Sequence, residues 1–198
     1  MSVSLEVKVG LRAPGLLRFR KGLGDPAERQ EAHARIAKAS LEFTKRFVEA
    51  DASHATAARL GATPTGHAAR TAKKIEAEGT PEAAILKIPR KSRLRAAFGD
   101  FEIRPGSGKT YLCLPAHAAT YGKMPSSFPK DAFKFAILHA HRIFPVLLFA
   151  SGPEQGNVAF WLRRSVKIKE NRALLPWDQL PVLAARVAGK YLTELAQA

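Results

Sequence analysis

Three groups of residues have the types and spacing from which chemistry could be built. Gly106-Ser107-Gly108-Lys109-Thr110 ends like a phosphate-binding loop. Such a loop needs a further glycine five positions before its second one, and a helix directly after its lysine. Ile103 stands at that glycine position, and Thr110 to Leu114 reads as a strand, so a lysine-bearing turn between strands is the better account. His139 and His141 are two apart and share a side if they lie on a strand. They have no cysteine or suitably spaced carboxylate beside them, and closed structural metal sites need four ligands. Cys113 has His117 nearby, but a thiolate nucleophile needs a histidine oriented by a third group. Set among Tyr111, Leu112 and Leu114, it reads as a small apolar side chain. The expectation is a protein without catalytic, cofactor-binding or metal-binding residues.

Charge points elsewhere. Lysine and arginine number 32 against 17 acids, a net charge of +15. The excess gathers in residues 12–21, 87–95 and 163–169. A field of this size attracts polyanions and repels copies of itself. The densest run holds Lys87, Arg90, Lys91, Arg93 and Arg95 on a proline-broken connector. It suits phosphate contacts that read no sequence, or an acidic protein surface. No aromatic residue interleaves with it, so base stacking on single strands is not indicated.

The elements that must position these groups follow from length and pattern. The 198 residues, 46% of them apolar, suit one domain with an appended arm. Residues 1–24 read as an extended basic arm and residues 25–198 as a single domain. The apolar stretches are shorter than the roughly 20 residues that span a bilayer, and the N-terminus shows no secretory leader. With Cys113 as the single cysteine, the chain reads as soluble and made in a reducing cytoplasm.

Asp25-Pro26 opens a helix to about Ala50, with Ala32, Ile36, Phe43, Phe47 and Ala50 inward. Thr63 caps a second helix over 68–78, ended by Gly79. Strands follow over 83–88, 98–104 and 110–114, the last two as a hairpin around residues 106–108. Residues 116–131 form a long loop of the kind that meets a ligand or neighbour. Strands over 133–140 and 143–150, a turn at Gly152 and Gly156, and one long strand over 157–169 come next. Trp161 and Trp177 belong to the core. A closing helix from Trp177 aligns Leu180, Leu183, Ala184, Val187, Tyr191 and Leu195. The order is α+β: N-terminal helices, an antiparallel sheet of about five or six strands and a C-terminal amphipathic helix.

Four blocks of this sequence carry a likeness to a known class. They are residues 54–67 (HATAARLGATPTGH), Ile103-Arg104-Pro105, residues 111–122 (YLCLPAHAATYG) and residues 166–176 (VKIKENRALLP). In type and order they resemble the neck and tail-completion proteins of tailed bacteriophages and prophages. The resemblance implies a structural virion protein, made in the host bacterial cytoplasm. Identical copies would form a ring at the head–tail junction around the DNA channel. Its implied partners are further copies of itself and other neck, tail and portal proteins, with DNA met through phosphates and no membrane. His117, Tyr121, Arg172, Leu174 and Leu175 sit at the corners expected to face neighbouring subunits. Phe128, beside Pro129, is a further aromatic anchor. The alternative is a nucleic-acid-binding protein without sequence preference, using the 87–95 patch.

Overall fold

Asp25 starts the first long helix as its sequence requires. Its Oδ1 accepts the Ala27 N–H at 2.8 Å, and Pro26, which has no N–H to lose, takes the first helical position. The computed structural model describes residues 5–7, 24–50, 55–89, 92–139 and 143–197. Its elements are β1 (Leu5–Val7), α1 (Pro26–Ala50), α2 (Ala55–Arg59), α3 (His67–Ala72), β2 (Glu76–Gly79), β3 (Ala84–Ile88), β4 (Phe101–Ile103), β5 (Leu112–Pro115), β6 (Phe133–His139), β7 (Ile143–Phe149), β8 (Val158–Arg163), β9 (Val166–Ile168) and α4 (Gln179–Gln197). The class is α+β, with every strand pair antiparallel. The strands divide among three sheets, ordered β1-β3-β2, β4-β9 and β5-β8-β7-β6. Of the expected basic arm, Leu5–Val7 pairs with β3; residues 8–23 lie outside the described residues.

The chain falls into two compact units. The first draws on Met1–Ala52, His67–Gly99 and Lys169–Ala198. In it α1 buries Ala32, Ile36, Ser40, Thr44 and Val48, a row at four-residue spacing. Phe43 and Phe47 flank that row half-buried, and Ala50 is exposed, so the inward face is turned from the one expected. β2 comes in close beside that row. A Cβ on Gly79 would strike the backbone of Ala34 and His33. The buried His33 ring nitrogen Nδ1 meets the Thr80 carbonyl at 2.6 Å, tying the β2–β3 turn to the helix. α4 lays Leu180, Ala184, Ala188 and Tyr191 inward, and Ala184, Ala188 and Tyr191 pack with Ala32 and Ile36. Leu195, expected in the same stripe, is exposed.

A helix over 68–78 is not what forms. α3 stops at Ala72, and Glu76–Gly79 pairs with Ala84–Lys87 as a strand. The alternation Ile75-Glu76-Ala77-Glu78 places Ile75 in the core and both glutamates outside, and that burial outweighs the helical preference of Ala and Glu.

The second unit comprises Ser53–Gly66 and Asp100–Ile168. Strands β6, β7 and β8 follow one another in a meander, and β5 lies beside β8. The first strand therefore neighbours the last, a Greek-key order, and residues 116–132 make the crossing. The expected hairpin around Gly106-Ser107-Gly108 does not form, although the turn does, with Lys109 N–H bonded to the Gly106 carbonyl. β4 pairs with β9, and β5 pairs with β8. The long strand expected over 157–169 breaks at Arg164-Ser165 for the same reason, since its two parts serve different sheets. Phe160 is fully buried at the centre, with the rings of Phe133 and Phe128 set edge-on at 5.4 and 6.4 Å.

Candidate functional site

The segment between β5 and β6 is irregular in backbone yet fixed in place. Thr120 is fully buried, and its hydroxyl lies 2.9 Å from the His117 carbonyl and 2.8 Å from that of Ala159 on β8. His117 Nδ1 accepts the Ala119 N–H, and Nε2 faces Glu154 Oε2 at 3.2 Å. The ring that accepts at Nδ1 carries its proton at Nε2, so it donates to the glutamate. The Phe149 ring packs edge-on against it at 5.3 Å. Gly122, at φ +74°, closes the corner; a side chain there would collide with Thr65 Cγ2.

Those contacts join sequence blocks that lie far apart. Thr65 belongs to the 54–67 block and Gly122 to the 111–122 block, and they touch. Ile103 is paired with Val166, and Phe101 with Ile168, which joins two further blocks. The second unit therefore gathers residues 103–105, 111–122, most of 54–67 and the start of 166–176.

The remaining corner residues go elsewhere. Leu175 is buried in the first unit's own core with Leu180, Leu94 and Ala97, and Leu174 packs half-buried against it. Burial commits Leu175 to folding, while Leu174 keeps part of its side chain exposed. Asn171 N–H bonded to the Ala96 carbonyl at 2.7 Å holds that corner, leaving Arg172 exposed. Phe128 is likewise committed inward, its ring edge-on to Phe133 at 5.0 Å, with Lys123 Nζ over its face. It anchors the corner segment to its own sheet rather than standing free as an anchor. Tyr121 is half-buried, and Met124 beside it is the exposed apolar side chain of the segment.

Of the described residues of the basic run, Arg93 is exposed, and Lys87 and Arg95 are half-buried. Lys87 is half-buried on β3, and its ammonium holds Glu78 Oε2 on the neighbouring strand. Arg93 and Arg95 lie in a 3-10 turn, Arg93–Phe98, and each has an interaction of its own within the chain. Arg90 and Lys91 lie outside the described residues. In the second unit, Arg164 and Lys167 are exposed, and the Arg163 guanidinium covers the Phe144 ring at 4.7 Å.

Cys113 is exposed on β5. Partial burial pushes its thiol pKa up, with Lys109 pulling the other way, which disfavours the reactive thiolate. Its sequence neighbour His117 has both ring nitrogens engaged elsewhere. His139 ends β6 exposed, and its expected mate His141 is outside the described residues. Among the described residues no helix is long and apolar enough to cross a membrane.

The sequence reading overlooked Phe135, Ile137 and Ile143, which are 59%, 48% and 68% exposed on the β6–β7 hairpin. In the run Phe133-Lys134-Phe135-Ala136-Ile137-Leu138 the one charge, Lys134, lies on the side opposite Phe135 and Ile137, so alternation points those two inward. No family model, curated protein or solved structure matches this chain.

Proposed function

We propose that this protein is a structural subunit of a tailed phage or prophage particle, a head–tail connector or tail-completion protein that acts by assembling into a ring around the DNA channel. One observation carries the reading. Sequence blocks that resemble that class meet in pairs in one unit, Ile103 against Val166 and Thr65 against Gly122. A corner held by a buried hydroxyl and a glycine contact presents fixed geometry to a neighbour. Rigid presentation lowers the entropic cost of association, which suits a part whose work is fitting against other parts. The net charge of +15 suits a lumen through which DNA passes by phosphate contacts.

The test is mass in solution by light scattering at low and high salt, with and without duplex DNA, alongside detection of the protein in purified particles from induced host cells. A discrete multi-subunit species, or the protein recovered in particles, supports the reading. A monomer absent from particles, which takes up DNA at low salt and releases it at high salt, overturns it. That outcome favours the second reading, a nucleic-acid-binding protein without sequence preference. The exposed Arg164 and Lys167 favour that second reading more than Lys87 does, since Lys87 is already paired.

A further inference from the structure

β6 is an edge strand of the four-stranded sheet, hydrogen-bonded to β7 on one side and to no described strand on the other. The parity of its ladder fixes what it offers. Just past the strand ends, Ala150 N–H bonds to the Ala132 carbonyl at 2.9 Å. Bonded and non-bonded pairs alternate in an antiparallel ladder. With the observed register, 134/148, 136/146 and 138/144 are therefore the bonded pairs. The N–H and C=O groups of Phe133, Phe135, Ile137 and His139 are thus directed at the open edge. Pro145 fits this parity, since it lies opposite Ile137 in a non-bonded pair where no N–H is needed. The same residues project Phe135 and Ile137 into solvent, with Ile143 at the hairpin tip. An open edge with exposed apolar side chains is a template for another strand.

We propose that the strand that covers β6 is the β6 of a second copy, antiparallel across a twofold axis at Ala136, joining two four-stranded sheets into one. An axis at Ala136, the midpoint of Phe133–His139, lets the whole strand pair with its copy. A twofold at Ala136 sets every edge-directed residue against another edge-directed residue. Phe135 meets Ile137 of the second copy on the exposed face, twice, and Phe133 meets His139 of the second copy. The smallest side chain lies on the axis, where the two strands approach most closely. The strand's full charge, Lys134, falls opposite Leu138 of the second copy, so no two like charges of the strand are set directly opposite each other. The sheet's other edge is a poorer mate. β5 has four residues and ends in Pro115, whose missing N–H falls on the outward side because Ala116 N–H already bonds the Ala159 carbonyl. The dimer seam is independent of the virion reading.

The test uses the full chain with Cys113→Ser, which removes the native thiol. Ala136 would form a non-bonded pair with its own copy, at a Cα separation of about 4.5 Å, within disulfide reach. Ala136→Cys is expected to give a covalent dimer on mild oxidation, while Lys134→Cys stays uncrosslinked because its mate is Leu138. Phe135→Lys with Ile137→Lys, both at exposed positions, shifts the monomer–dimer midpoint upward at least about tenfold in sedimentation and leaves the circular dichroism spectrum unchanged. A monomer at every attainable concentration overturns the proposal, as does equal crosslinking at 134 and 136. A larger assembly that persists with both lysines in place also overturns β6 as a seam, and does so without touching the ring reading.

Discussion

Thr44 and Thr120 are equally sealed from water, one in each unit, and they are used in opposite ways. Thr44 lies in the buried row of α1, and its hydroxyl finds no hydrogen-bond partner among the described residues. Thr120 lies in an irregular corner, and its hydroxyl reaches two carbonyls. The contrast extends to the units around them. The first is held by regular elements packing side chain on side chain, Val48, Leu94, Ile75 and Leu180 in one cluster and Ala32, Ile36 and Ala184 in another. There the Thr44 hydroxyl is an imperfection that the core tolerates. The second keeps a long stretch of chain outside helix and sheet, and a polar side chain is what holds that stretch still. Regular structure satisfies its own backbone; an irregular surface must be satisfied from outside. On the proposed reading, residues that shape a surface for a neighbour are to be sought in the second unit.

Substitutions that remove each unit's own device break the comparison most directly. Gly79→Ala drives a methyl group into the α1 backbone at Ala34, which cannot swing aside as a side chain would. It is expected to destabilise the first unit by about 3 kcal/mol, read as a lower denaturant midpoint. An unchanged midpoint would mean that β2 lies farther from α1 than described. Next is Thr120→Val, which keeps shape and removes the hydroxyl. Ala116 N–H still serves the Ala159 carbonyl, so the loss is about 1–2 kcal/mol. Its particular sign is faster amide exchange within residues 116–124 while β6 and β7 stay protected. Uniform acceleration across the unit would show that the hydroxyl supports the whole sheet and not the corner.

How far the sequence revealed this division depends on the residue. Asp25-Pro26 and the Leu180, Ala184, Tyr191 spacing announced both long helices, because capping and period are local properties. The segment 68–78 misled, since Ala, Lys and Glu favour helix locally, while pairing with β3 and the close approach of Gly79 to α1 are visible only in three dimensions. The turn at residues 106–108 was legible, but not the partners of its flanking strands, because a turn signal says that the chain reverses and not what it then pairs with. Leu175 looked like a corner residue and is buried in the core, with Leu174 half-buried against it; in a one-dimensional reading both are apolar residues before a proline. Phe135 and Ile137 failed in the opposite sense, as exposure on β6 follows from its place at a sheet edge, which no spacing encodes.

Two smaller effects sharpen the comparison. Thr44→Val removes an unsatisfied hydroxyl at nearly constant volume, and is expected to raise the stability of the first unit by about 1 kcal/mol, the reverse of the same substitution at Thr120. A loss instead would reveal a partner for the hydroxyl and erase the contrast. The smallest effect is at Glu102 on β4, beside the break between β8 and β9. Hydrogen bonding to Ser165, then to Arg104, lowers its carboxyl pKa below the ordinary 4.5. A carboxyl with a lowered folded pKa binds fewer protons folded than unfolded, so its contribution is complete above the ordinary value and disappears as pH falls through the lowered one. Between about pH 5 and pH 3, the wild-type protein should therefore lose more stability than Glu102→Gln, which has no proton to take up there. The two titrations would run parallel if Ser165 and Arg104 merely lay near the carboxylate. Converging curves would show that this exposed side chain helps hold β4 against β9, so that the second unit's short sheet, like its corner, depends on polar contacts.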